Sequence, residues 1–150
     1  MKFASVLAPA TGHDNVSPTT TEVDTLGFDY AQFYVYFGAI NASALTAFHI
    51  GESDTAGSTG AIIANTNFAS TAGITAIDGS TLVLPGATAD SLTYRVDVDL
   101  KGKCRYLDLF ATVNNTTGTM LMSAFCLLSK ADQAPITEAG QGCQQIASDP

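Results

Sequence analysis

Charge is what this chain has least of. Only 13% of its residues are charged, about half the usual share of roughly 25%. Lys and Arg together number six against fourteen acidic residues, most of them Asp, for a net charge of −8. Four of the six basic side chains (Arg95, Lys101, Lys103 and Arg105) crowd into one short stretch. An acidic chain without a basic stripe has no means of displacing counterions from a phosphate backbone, which argues against nucleic acid as a partner. It leaves room for docking on a basic protein surface.

Other absences narrow the chemistry. Tryptophan is missing, and histidine is limited to His13 and His49. No Gly-x-Ser-x-Gly elbow, Gly-Lys-Ser/Thr phosphate loop or Asp-x-Asp-x-Asp-Gly calcium loop occurs. Cys104, Cys126 and Cys143 are odd in number and widely spaced. That suits neither a metal site, which wants close pairs of ligands, nor an even-numbered disulfide framework. Reduced thiols made in a cytoplasm are expected. No run of eighteen apolar residues is present, so no membrane span is expected. The opening apolar stretch is short and broken by Ser5 and Pro9, which makes it a poor signal peptide. No cofactor, metal or catalytic group is expected.

What is abundant is β-forming and apolar. The 150 residues are 46% hydrophobic, enough for one domain that buries roughly 70% of its unfolded surface without a staple. Tyr30–Phe37 alternates Ala31, Phe33, Val35 and Phe37 with Tyr30, Gln32, Tyr34 and Tyr36, a period-two strand with its Phe/Val face toward a core. The tyrosine row either meets another chain or lies under a second sheet. Residues 44–50 form a second strand, with Leu45, Ala47 and His49 opposite Thr46, Phe48 and Ile50. Weaker β runs follow at 61–65, 73–77 and 81–84, the last two joined by an Asp78-Gly79 hairpin turn.

Three strands then come almost end to end. In 92–100 an apolar face (Leu92, Tyr94, Val96, Val98, Leu100) alternates with Thr93, Arg95, Asp97 and Asp99. Residues 104–113 alternate likewise, placing Cys104 on a strand beside that of Cys126. Residues 119–128 are apolar on both faces apart from Ser123, which predicts a central strand buried from both sides. About eight strands with short turns and no convincing helix predict an all-β fold, a single antiparallel β-sandwich, with a jelly roll as one form it can take. The domain is expected over 22–130. Residues 1–21, rich in Ala, Pro, Ser and Thr, read as an extended arm with a short strand at 2–7, and 131–150 as a tail.

Candidate chemistry is thin. Asp97 and Asp99, about 7 Å apart on one strand face, have a carboxylate pair's spacing, but Arg95 and Lys101 share that face and a solvated charge ladder accounts for all four. Glu52 and Asp54 in the loop 51–60 lack a calcium loop's pattern. His49 is expected to be a partly buried structural residue.

Four stretches carry a resemblance: Asp24-Thr25-Leu26-Gly27-Phe28-Asp29-Tyr30-Ala31, Glu52-Ser53-Asp54, the run from Tyr94 to Leu107, and Lys130-Ala131-Asp132-Gln133-Ala134-Pro135. In this order, over roughly 22–136, the chain resembles small virion structural proteins of tailed bacteriophages and prophages. The resemblance implies a non-enzymatic decoration or cement protein on the capsid exterior, made in the host cytoplasm. Its implied partners are the major capsid protein and further copies of itself, with a homotrimer as the first expectation. Tyr30, Tyr34 and Tyr36 are the expected contact residues, with Pro9 and Pro18 on an arm that reaches a neighbour. Deleting 1–21 is then expected to abolish attachment while sparing the β spectrum. The rival readings are another virion component (tail, fibre, head-to-tail adaptor or capsid-building module) and a carbohydrate-binding or hydrolytic sandwich using Asp97, Asp99 or Glu52, which the lack of Trp disfavours.

Overall fold

In the computed structural model the period-two segments form nine strands among the described residues, which are 1–9, 13–14, 17–40, 44–68, 83–86, 90–114 and 119–131. They are β1 (Lys2–Leu7), β2 (His13–Asp14), β3 (Val23–Asp24), β4 (Phe28–Ile40), β5 (Ala44–Ser53), β6 (Ala61–Ile62), β7 (Leu92–Asp99), β8 (Tyr106–Asn114) and β9 (Thr119–Ala131). A single 3-10 turn, Ala64–Thr66, follows β6. No helix among the described residues is long and apolar enough to cross a membrane.

The strands form two antiparallel sheets, a β-sandwich. One runs β1-β9-β4-β7, with β2 also pairing β9; the other runs β3-β8-β5-β6. Six of the eight steps between successive described strands cross from one sheet to the other, and the first described strand lies against the last. The inner faces supply the core. Ala31, Phe33, Val35 and Phe37 of β4 are fully buried, as are Leu107 of β8 and Cys126 and Leu128 of β9. Phe37 and Tyr94 from one sheet meet Phe48 of the other and Phe68 just past the 3-10 turn, with ring centroids 4.8–6.3 Å apart. Thr66, buried beside them, accepts the Ile50 N–H (3.0 Å) and donates to the Ile63 carbonyl (2.8 Å), so its hydroxyl leaves no orphan in the core.

Three expectations change. The described part of 1–21 belongs to the sandwich. β1 pairs β9 from Lys2↔Leu128 to Leu7↔Ala124, and a register shift between Ser5 and Leu7 lets both Val6 and Leu7 enter the core. The return segment is tied down too: the Thr21 N–H donates to the Val6 carbonyl (2.7 Å), and the Thr20 hydroxyl reaches Asp108 (2.6 Å) and the Leu109 carbonyl (2.9 Å). In β5 a register shift between Leu45 and Ala47 puts Leu45 on the same buried side as Phe48 and Ile50, where simple alternation had set them apart. Cys104 precedes β8 and Cys126 sits within β9, in different sheets, so the two thiols do not lie on neighbouring strands. The expected run at 73–77, the first half of that at 81–84, the Asp78-Gly79 turn, the tail beyond 131 and Cys143 lie outside the described residues, while 83–84 are described and form no strand.

One end of the sandwich is closed by a polar clasp. Arg105 forms a two-pronged ion pair with Asp24 (2.8 and 2.7 Å), which holds the Asp24 carboxyl below its ordinary pKa. Glu52 accepts the Cys104 N–H (2.9 Å) and pairs with Lys103 (3.6 Å). Asp54 accepts the Arg105 N–H (3.3 Å), and Glu22 the Gly57 N–H (3.0 Å). Residues 24–27, 52–54 and 100–105 meet at this end, stitched by carboxylates to backbone donors and to Arg105 and Lys103. Gly60 lies so close to the Glu52 backbone that a side chain there would overlap it, which keeps 58–62 flat against β5.

Candidate functional site

The most unusual surface is the outer face of the β1-β9-β4-β7 sheet. Residues facing each other across antiparallel strands share a face, so register gives its layout in rows. Phe3, Leu127, Gln32 and Asp97 make one row; Ser5, Phe125, Tyr34 and Arg95 the next; Ser123, Tyr36 and Thr93 a third; and Ser129, Tyr30 and Asp99 close one end. The tyrosines of β4 form a ridge. On one side of it lies an apolar field from β1 and β9, and on the other a charged strip on β7.

The apolar field is open. Tyr36 is 46% exposed, Phe125 43%, Leu121 41% and Phe3 38%. β9 is central in the sheet, as its apolar pattern predicts, but it is buried on one side only. Its odd-numbered positions from Leu121 to Phe125 face outward with nothing from the described residues over them. The rings are ordered against each other: Tyr34 stacks on Phe125 at 5.0 Å and 12°, and Phe3 tilts against Phe125 at 6.1 Å. Beside them a groove of about 210 Å³ is lined by Pro9, Tyr36, Gly38, Leu121, Met122 and Ser123. Gly38 is needed there, because a Cβ would press on the Leu121 side chain at 3.0 Å.

The charged strip is internally satisfied. Arg95 pairs with Asp97 at 3.0 Å, Gln32 donates to Asp97 at 3.1 Å, and the Lys101 N–H donates to Asp99 at 3.0 Å. Lys130, held at a positive φ of 54°, places its ammonium 5.7 Å from the Tyr30 ring centroid. Partial burial, with Asp97 close by, raises the Tyr30 phenol above its ordinary pKa.

The residues expected to make contacts thus divide. Tyr34 and Tyr36 sit in the open aromatic field with Pro9 at its border, while Tyr30 lies at the far end under Lys130. Pro18 is buried, lining a pocket with Val6, Leu7 and His13 and apart from that field. Phe3, Leu121, Phe125 and Leu127 were missed as surface residues. For Leu121, Phe125 and Leu127 the signal was the outward half of an apolar-on-both-sides strand, which reads equally well as core.

Burial pushes the Cys126 thiol up to about 12, and partial burial with Asp54 alongside raises Cys104 as well. Among the described residues no group of three or more His, Cys, Asp or Glu is placed to hold a metal ion. His49 stacks on Phe110 (5.1 Å, 22°) and burial lowers its pKa below the ordinary 6.5. A histidine buried neutral contributes its full stability above about pH 6.5 and loses it as pH falls through the lower folded value. The expected result is a melting temperature that drops more between pH 7 and pH 5 in the wild type than in His49→Phe. Equal drops would show that His49 is not the titrating group.

Comparison with known proteins returns no matching family model and no matching curated protein.

Proposed function

We propose that this protein is a non-enzymatic structural component of a tailed-phage virion: a decoration protein that binds the major capsid protein on the capsid exterior as a homo-oligomer. The observation that carries the reading is the open apolar and aromatic face of the β1-β9-β4-β7 sheet. Four large side chains more than a third exposed, contiguous on one flat face, are what an interaction surface has and what a solitary soluble sandwich avoids. The scarcity of charge and the carboxylates committed to the clasp fit a scaffold that presents surfaces.

The strand order supports a finer reading of the sandwich as a jelly roll. With β2 set aside, the first, eighth, third and sixth strands make one sheet and the second, seventh, fourth and fifth the other, the arrangement of two Greek keys. That fold serves viral shells and lectins alike, so it raises the virion reading by analogy only. Weak contacts to a shell suffice when one assembly engages several sites at once.

The test is occupancy on particles of the phage or prophage that encodes the chain. Decoration predicts copies on the order of hundreds per particle, in step with shell symmetry. Recombinant protein should also rebind particles stripped of it. About a dozen copies would move the protein to a head-to-tail adaptor, and none would end the virion reading.

A further inference from the structure

We infer that the outer face of the β1-β9-β4-β7 sheet pairs with the same face of a second copy across a two-fold axis. The inference deepens the decoration reading, on which it rests for its context, by naming the occupant of the exposed face; it can fail without that reading failing.

Three observations favour a second copy over another partner. The first is charge. The chain carries a net charge of −8, so most ways of bringing two copies together oppose acid to acid. On this face the charged side chains are Arg95, Lys101, Lys130, Asp97 and Asp99, so acid does not predominate there. Two copies can share this face without bringing a net excess of acid together.

The second is shape. Two identical sheets have identical twist, and sheets of equal twist stack face to face with strands within about 30° and about 10 Å between them. The aromatic ridge of β4 and the Tyr34–Phe125 stack then interleave with their equivalents. The gap beside Tyr36 and Leu121 takes a ring from the opposite copy.

The third is area. The Tyr30–Tyr36 stretch of β4 across four strands spans roughly 23 by 19 Å at ordinary strand rise and spacing. Two such faces remove roughly 900 Å² from water by footprint, close to the roughly 1,000 Å² that a biological interface clears. A homotrimer, by contrast, needs two different patches that meet head to tail; a single self-sufficient face favours the pair.

Sedimentation velocity of the full chain from about 1 to about 100 µM tests this. The wild type should approach twice its 15.5 kDa mass. Phe125→Glu should be monomeric, with association weakened at least about 100-fold because a two-fold face carries each substitution twice. Its β spectrum and melting temperature should stay near wild type, since the side chain is 43% exposed. If Phe125→Glu loses its β spectrum, Tyr36→Lys, at the most exposed ring of the face, is read in its place. A wild type that stays monomeric, a trimer, or a dimer that survives these substitutions each overturns the pairing. A monomer that still coats shells sinks the pairing and keeps decoration; a dimer that coats none does the reverse.

Discussion

Removing residues 1–9 is expected to lower stability by several kcal/mol, and to do so before any question of attachment arises. β1 lays Val6 (1% exposed) and Leu7 (8%) into the core. Side chains of that size contribute about 1.5–3 kcal/mol each when buried, an upper figure because the unfolded chain already hides some of them. The deletion also strips the backbone partners from β9 between Ala124 and Leu128 and the acceptor of the Thr21 N–H. Against a total stability of about 5–15 kcal/mol, the loss brings the domain close to unfolding, and the bared edge of β9 invites aggregation. The urea midpoint of the truncated protein is the measurement. An unchanged midpoint would mean that β1 is the loose arm its composition suggests. A failure of the truncated protein to coat particles would therefore report on folding first, which replaces the simpler expectation for an arm.

Phe48→Ala and Phe125→Ala should differ several-fold in cost although both remove a phenyl ring. Phe48 is fully buried and touches Phe37, Phe68 and Tyr94, so it ties β5 to β4, to β7 and to the segment after the 3-10 turn. Its truncation leaves a cavity where two sheets meet, at about 3–5 kcal/mol. Phe125 lies outside, stacked on Tyr34 and tilted toward Phe3. Losing it forfeits ring contacts worth about 0.5–1.5 kcal/mol and opens no cavity. Chemical denaturation of both variants below the concentration of self-association gives the comparison. Similar losses would place Phe125 in a second core and remove the basis for an exposed face.

How much of this was readable follows from what each segment must satisfy. β4 and β7 bury one face and wet or share the other, so alternation alone turned Phe33 and Val35 toward the core and set Val96 on an apolar face. β5 defeated the same rule because one bulge after Leu45 exchanges its faces, and nothing local in Leu-Thr-Ala announces it. For β9 the pattern gave the central position correctly but wrongly buried its outer side as well. An apolar row under a second sheet and an apolar row awaiting a partner have the same composition. The clasp was out of reach: Asp24 and Arg105 each look like ordinary surface charges until the fold closes a loop of some eighty residues between them. The N-terminal strand was legible as a strand but not as part of the sandwich. Its six residues carry little signal without β9 beside them.

The pairing of Lys2 with Leu128 and of Ser5 with Phe125 has a consequence for how the protein is made. A ribosome emits β1 first, yet its neighbour appears only after nearly all the remaining strands. Until then Phe3, Val6 and Leu7 travel unsheltered on the nascent chain. Such distant pairing slows folding and makes the interval before closure the time of greatest exposure to other nascent chains. Abundant synthesis would therefore be limited less by the finished sandwich than by the wait of its earliest strand for its last.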